Sequence, residues 1–226
     1  MEEALQRIAD MDENILNLTN LGLTELPPLP PTLETLIINI NALTHLPPLV
    51  SEGKPSALIG LYCANNHLTE LPPLPPTLKC LTCKRNQLTE LPSLPHNLEI
   101  LYCSENTITK LPPLPPTLQV LLCHDNAITE LPPRFFEDTP TLRNLQCYNN
   151  ALTKLPPLPP TLEVLHCNNN MLTELPPLPP ALKHLNCSDN PIVYPPPEVL
   201  KNDIPFIRKW MEENPRTFVK SALKGV

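Results

Sequence analysis

Apolar and polar positions alternate along this chain on a fixed frame that returns every 20 residues. From Leu58 the chain reads LIGLYCANNHLTELPPLPPT, then LKCLTCKRNQLTELPSLPHN from Leu78 and LEILYCSENTITKLPPLPPT from Leu98. The unit from Leu118 is lengthened to 24 residues by PPRFFEDTPT, and the short period returns at Leu142 and Leu162. A last unit opens at Leu182, and two less regular ones, Glu13–Thr32 and Leu33–Ala57, precede the rest, making nine repeats. Self-similarity at this period is the signature of a solenoid, in which one short supersecondary unit buries its apolar face against the next.

The consensus LxxLxCxxNxLTxLPPLPPT places apolar residues at its first, fourth and sixth positions. It predicts a short strand over positions three to five, the fourth residue facing inward and its two neighbours outward. Stacked about 4.8 Å apart, nine such strands form a parallel sheet on the inside of an arc on the order of 40 Å long. Asparagine holds the ninth position in eight units, from Asn41 to Asn190, and Leu21 replaces it in the first. A carboxamide at that turn is expected to pair backbone groups of adjacent coils that otherwise remain unsatisfied in the core. The PPLPPT tail reads as a polyproline-like return on the convex side, too short for a helix.

Solenoid ends need covering. Residues 1–12 are expected to form an N-terminal cap, with a helix in EEALQRIADM presenting Leu5, Ile8 and Met11 to the first coil. The nine repeats occupy 13–200, and 201–226 form a C-terminal capping helix and tail, with Ile204, Ile207, Trp210 and Met211 on one helix face and Pro205 in its first turn. In the lengthened sixth unit, Phe135 or Phe136 is expected to fill a wider coil, and SEGKPSA at 51–57 reads as a surface loop.

Composition sharpens this picture. The 226 residues include 34 prolines and 4 glycines, which disfavours a helical domain or a broad sheet, while 41% hydrophobic residues at a fixed period argue against disorder. A net charge of -7 gives no reason to expect nucleic-acid binding. No apolar run is long enough to span a bilayer, and the N-terminus lacks the basic and apolar regions of a secretory signal, so membrane association is not expected and an intracellular site of action is.

LTELPPLPPTL preceded by LxxLxCxxN resembles the short leucine-rich repeats of bacterial secreted effectors. Cysteine at the sixth position is similar to the leucine-rich repeat proteins encoded by giant DNA viruses of amoebae. The run NPIVYPPPEVLKNDIPFIRKWMEENP resembles the capped end of such domains in multidomain signalling proteins. This resemblance, spanning about Ile15 to Pro215, implies a leucine-rich repeat solenoid that recognises proteins, with host-directed action in a host cytoplasm. Effectors of this kind often carry a C-terminal catalytic domain such as a ubiquitin ligase; with 11 residues after Pro215, none is expected here.

Candidate chemistry is sparse. Cys63, Cys83, Cys103, Cys123, Cys147, Cys167 and Cys187 share the sixth position and read as a ladder of small buried side chains, parallel and one coil apart, which suits neither zinc nor disulfides. Cys80, at the third position, is the one thiol expected to face outward, with no positioned base beside it. His124, His166 and His184 fall on the inner surface but too far apart for shared metal ligation. No phosphate loop or HExxH is present, so neither a cofactor nor a metal is expected.

Positions three, five, seven and eight line the concave face. In units three to six they supply Tyr62, Ala64, Asn65, Cys80, Thr82, Lys84, Arg85, Ile100, Tyr102, Ser104, Glu105, Val120, Leu122, His124 and Asp125. Ile100, Tyr102, Val120 and Leu122 form an apolar centre with a charged border, the make-up of an interface core and rim. The residues assigned to partner binding are Tyr62, Lys84, Arg85, Ile100, Tyr102, Glu105, Val120, Leu122, His124, Tyr148 and His166. The reading is a non-enzymatic module that binds a protein or extended peptide. Its alternatives are a structural, self-associating component and a cysteine-dependent enzyme using Cys80 or the histidines.

Overall fold

The computed structural model describes residues 1–11, 14–50, 56–132 and 134–215, with backbone alone at Phe136 and Asp138. Most of the 51–57 loop, the Phe136 side chain and the tail after Pro215 lie outside the described residues. Nine three-residue strands follow in chain order: β1 Ile15–Asn17, β2 Thr35–Ile37, β3 Gly60–Tyr62, β4 Cys80–Thr82, β5 Ile100–Tyr102, β6 Val120–Leu122, β7 Asn144–Gln146, β8 Val164–His166 and β9 His184–Asn186. Each pairs in parallel with the next, giving one nine-stranded sheet in sequential order. Every strand from β3 onward occupies positions three to five of its unit, so the expected register holds.

Alternation within the strand explains why three residues suffice. The central leucines Leu36, Leu61, Leu81, Leu101, Leu121, Leu145 and Leu165 are fully buried, while most flanking residues keep one side to solvent. Each such leucine contributes about 1.5–3 kcal/mol of transfer free energy, and identical register stacks them into one continuous core with the first- and sixth-position residues. Six sixth-position thiols, from Cys63 to Cys167, are fully buried in that core. Cys187 is only half-buried, because no tenth coil covers it.

Two side-chain ladders stitch the coils together. Asn106 donates from Nδ2 to the carbonyls of Cys83, Cys103 and Ser104, each at 3.1 Å, and its Oδ1 accepts the Leu88 N–H at 3.0 Å. Equivalent bonds join Asn86, Asn126, Asn150, Asn170 and Asn190 to the preceding coil, as the sequence pattern predicts. At the last position of their units, Thr77, Thr117, Thr141 and Thr161 place their hydroxyls within reach of carbonyls one coil back, for example Thr117 Oγ1 to Leu98 O at 2.8 Å. The prolines between these ladders carry neither helix nor strand, which spares a backbone that lacks N–H donors.

The residue at the eighth position of each unit is left-handed. Asn20, Ile40, Asn65, Arg85, Glu105, Asp125, Asn149, Asn169 and Asp189 all have φ between 51 and 59°. Asn and Asp tolerate this region; Ile40 is β-branched and does not.

At the N-terminal end, α1 spans Glu2–Ala9 and lies against β1. Ala4, Ile8 and Met11 face the core, and Arg7 donates to the Asn17 carbonyl at 2.9 Å. Leu5, expected on that face, is instead 50% exposed, because a helix that buries Ala4 and Ile8 turns residue 5 outward. The lengthened unit contains an unforeseen short helix, α2 (Phe135–Asp138), which carries the fully buried Phe135 into the wider coil. Its end is fixed by Thr139 Oγ1 donating to the Phe135 carbonyl at 2.6 Å.

At the C-terminal end, α3 (Ile204–Glu213) begins at Asp203, whose side chain accepts the Phe206 N–H, with proline in the first turn. Ile207 and Met211 are buried, and Ile204 and Trp210 are half-buried against the core. Arg208 ties the helix back to the Pro179 carbonyl at 2.7 Å.

Candidate protein-recognition face

Strand register converts sequence positions into rows running along the solenoid axis. Position five gives the row Ile37, Tyr62, Thr82, Tyr102, Leu122, Gln146, His166, Asn186, each paired with the next. Position three gives Thr35, Gly60, Cys80, Ile100, Val120, Asn144, Val164, His184. Ile100, Tyr102, Val120 and Leu122 therefore occupy a two-by-two block on β5 and β6, all half-buried. An apolar centre of this kind is present among the predicted residues. The row turns polar at Gln146 and stays so to Asn186.

The rim beside the block is tightly organised. Arg85 Nε meets Glu105 Oε2 at 2.6 Å. His124 stacks on Tyr148 with ring centroids 4.2 Å apart and planes 9° from parallel, and its Nδ1 lies 2.7 Å from Asp125 Oδ2. Asn149 donates to Asp125 Oδ1 at 2.6 Å, and Asn169 to Asn149 Oδ1 at 2.6 Å. Burial, then the carboxylates of Asp125 and Glu105, raise the Tyr148 hydroxyl above its ordinary pKa. Lys84 lies half-buried on this rim; His166 lies two coils beyond Leu122, at the polar end of the row.

Several expected lining residues are not available to a partner. Thr82 and Ala64 are 7% and 3% exposed, and Ser104 is 1% exposed. Cys80 is half-buried rather than open. The Tyr62 side chain hydrogen-bonds to it; that bond, then burial and the charges of Cys80 and Tyr102, push the tyrosine up to about 12. Gly60 makes this arrangement possible, since a Cβ there would stand 3.0 Å from Tyr62 Cε2.

Two residues on this face escaped sequence reading. Ile37 extends the apolar row by one coil beyond Tyr62, and Ile40 stands 52% exposed at the left-handed position of the same unit. Both sit at concave positions of the second repeat, whose front half keeps the frame while its tail does not.

The thiol ladder offers no nucleophile. Burial raises Cys63, Cys103 and Cys147 to about 12, and Cys83, Cys123 and Cys167 are also raised, so these sulfurs stay protonated near neutral pH. Away from the concave face, a trough of about 500 Å³ lies between the last coils and α3, lined by Leu155, Leu175, Leu178, Tyr194, Arg208 and Met211. Among the described residues, no helix is long and apolar enough to cross a membrane.

The family model for the leucine-rich repeat matches residues 181–202. Among solved structures, YopM from Yersinia enterocolitica is 35% identical with a TM-score of 0.62, covering 84% of this chain and 51% of its own. A leucine-rich repeat domain of a Shigella effector is 29% identical with a TM-score of 0.61, covering 85% of this chain and 78% of its own. The fold is a leucine-rich repeat solenoid.

The functional domain of InlJ from Listeria monocytogenes, described as including a cysteine ladder, is 28% identical with a TM-score of 0.68, covering 78% of this chain and 40% of its own. A cysteine ladder thus also occurs in a bacterial protein of similar fold. The chain spans about half the length of the YopM structure it matches. No curated protein sequence matches significantly.

Proposed function

We propose that this leucine-rich repeat protein is a non-enzymatic recognition module that binds a partner protein on its concave face. The observation that carries this reading is the block of Ile100, Tyr102, Val120 and Leu122, in register on adjacent strands and bordered by Lys84, Arg85, Glu105 and Asp125. Tyr102 and Leu122 are the central anchors; Tyr62 and Tyr148 extend the contact on either side, and His124 holds the Tyr148 ring in place by stacking. Likeness to a Shigella effector supports host-directed action in a host cytoplasm. A viral origin has the cysteine variant as its only support.

Affinity capture from lysate tests the reading, with the intact protein beside a Tyr102→Asp/Leu122→Asp variant of equal circular dichroism. A protein retained by the intact form alone supports it; equal capture by both forms removes the assigned face. Self-association is a second reading, favoured by Leu5 and Ile15, which stand 50% and 47% exposed on α1 and the edge strand β1. Light scattering at high concentration separates the two, since a monomer rules self-association out.

A further inference from the structure

The concave row runs in register over five coils, from Ile37 through Tyr62, the buried Thr82 and Tyr102 to Leu122, and its partly exposed members are aliphatic or aromatic. What can lie along it is limited by hydrogen bonding. Strands β2 to β6 each have a partner on both sides, so their backbone groups are already committed to the sheet. An extended peptide laid over this row would bring its own N–H and C=O groups against isoleucine, leucine and tyrosine rings, where few can be paired. A helix brings none, because its backbone is satisfied internally.

Spacing favours the same occupant. Coils repeat about every 4.8 Å, close to the roughly 5.4 Å between successive turns of an α-helix, whereas alternate side chains of an extended chain fall about 6.6 Å apart. Five coils span about 19 Å, the length of some 13 helical residues. At the middle of the row, the small Thr82 is itself buried between Tyr62 and Tyr102, so the two tyrosines are the contact-making residues there.

The flank carries an ordered charge pattern. Arg85 and Glu105 neutralise each other across 2.6 Å. That leaves Lys84, which has no ion pair among the described residues, and Asp125, whose carboxylate contacts His124 and Asn149 but no lysine or arginine among them. They sit two coils apart, about 10 Å, which matches about seven residues along a helix.

We infer that the partner presents an amphipathic α-helix along the row from β2 to β6. Its apolar stripe packs on Ile37, Tyr62, Tyr102 and Leu122, and its flank carries an acidic residue facing Lys84 and a basic one facing Asp125, seven residues apart. This rests on the concave-face reading and specifies the chemistry of the partner.

The test uses two displayed libraries selected against the intact protein. One randomises a single face of a stable helical scaffold; the other consists of unstructured 14-residue peptides. Enriched clones are measured by fluorescence anisotropy against the intact protein, Tyr102→Asp/Leu122→Asp, and the charge exchange Lys84→Glu/Asp125→Lys, each checked for folding by circular dichroism. The expected result is enrichment of helical clones with the two charges in the stated order. Their affinity falls by at least about 10-fold on either variant, and exchanging the charges in the ligand restores binding to the charge-exchanged protein.

Helical clones indifferent to the charge exchange overturn the inference. So do binders drawn only from the unstructured library; if those still depend on Tyr102 and Leu122, the concave-face reading stands without the helix. No clone sensitive to Tyr102→Asp/Leu122→Asp, or no clone at all, overturns both.

Discussion

Raising the pH should unfold this protein through its thiol ladder. Cys63, Cys83, Cys103, Cys123, Cys147 and Cys167 are fully buried, and burial raises all six above 9.0, with Cys63, Cys103 and Cys147 reaching about 12. Below 9.0 both folded and unfolded chains keep these protons, so the ladder makes stability insensitive to pH there. Above it the unfolded chain ionises while the folded one cannot, and the unfolded state then binds fewer protons. Stability must fall with rising pH by about 1.4 kcal/mol per unit for each thiol. At pH 10.5 each costs about 2 kcal/mol and the six together about 12, which is comparable with the whole stability of about 5–15 kcal/mol expected of a folded domain.

Urea unfolding at half-unit steps from pH 8 to 11, followed by circular dichroism and by thiolate absorbance, measures the slope. The double variant Cys103→Ala/Cys123→Ala loses stability at pH 8 through two small cavities, but its slope above pH 9 should be shallower by about a third. A slope unchanged by removing two thiols, or a protein still folded at pH 11.5, would refute the argument.

Asn106→Ala should destabilise the central coils by about 2–4 kcal/mol in urea unfolding: Leu88 N–H has no other partner among the described residues, whereas the Cys83 and Cys103 carbonyls keep Asn86 and Asn126. A loss below about 0.5 kcal/mol would show the ladder to be dispensable. Ile40→Asn should raise stability by about 1 kcal/mol, since φ is 57° and the side chain is largely exposed, and a lowered urea midpoint would contradict this. Trp210→Ala should cost about 1–3 kcal/mol, less than a fully buried aromatic, because the ring is half-buried beside Tyr194 at 5.9 Å; an unchanged midpoint would remove it from the cap.

Periodicity made the solenoid legible because each repeated residue does one job in every coil. Leu101 fills the core, Asn106 pairs the backbone and Thr117 ties the tail, and their recurrence in other coils averages out local noise. What the frame hides is whatever depends on the neighbouring coil's side chain. Thr82 and Ser104 occupy outward positions by period, yet both are buried. Cys80 is likewise turned from an open thiol into the partner of Tyr62 by a glycine twenty residues earlier. Leu5 failed for a related reason: helix periodicity fixes which residues share a face but not which face docks, and Arg7 reaching the Asn17 carbonyl accompanies the choice of Ala4. The proposed recognition face is therefore legible only in rows, along the axis and across strands. In rows, Ile37 joins Tyr62 and Leu122 as one apolar track, and Lys84 and Asp125 become its two charges without an ion-pair partner of lysine, arginine or carboxylate among the described residues. Specificity in such a molecule then resides in the order of side chains along the stack, which the fold leaves free to vary, while the coil beneath them stays fixed.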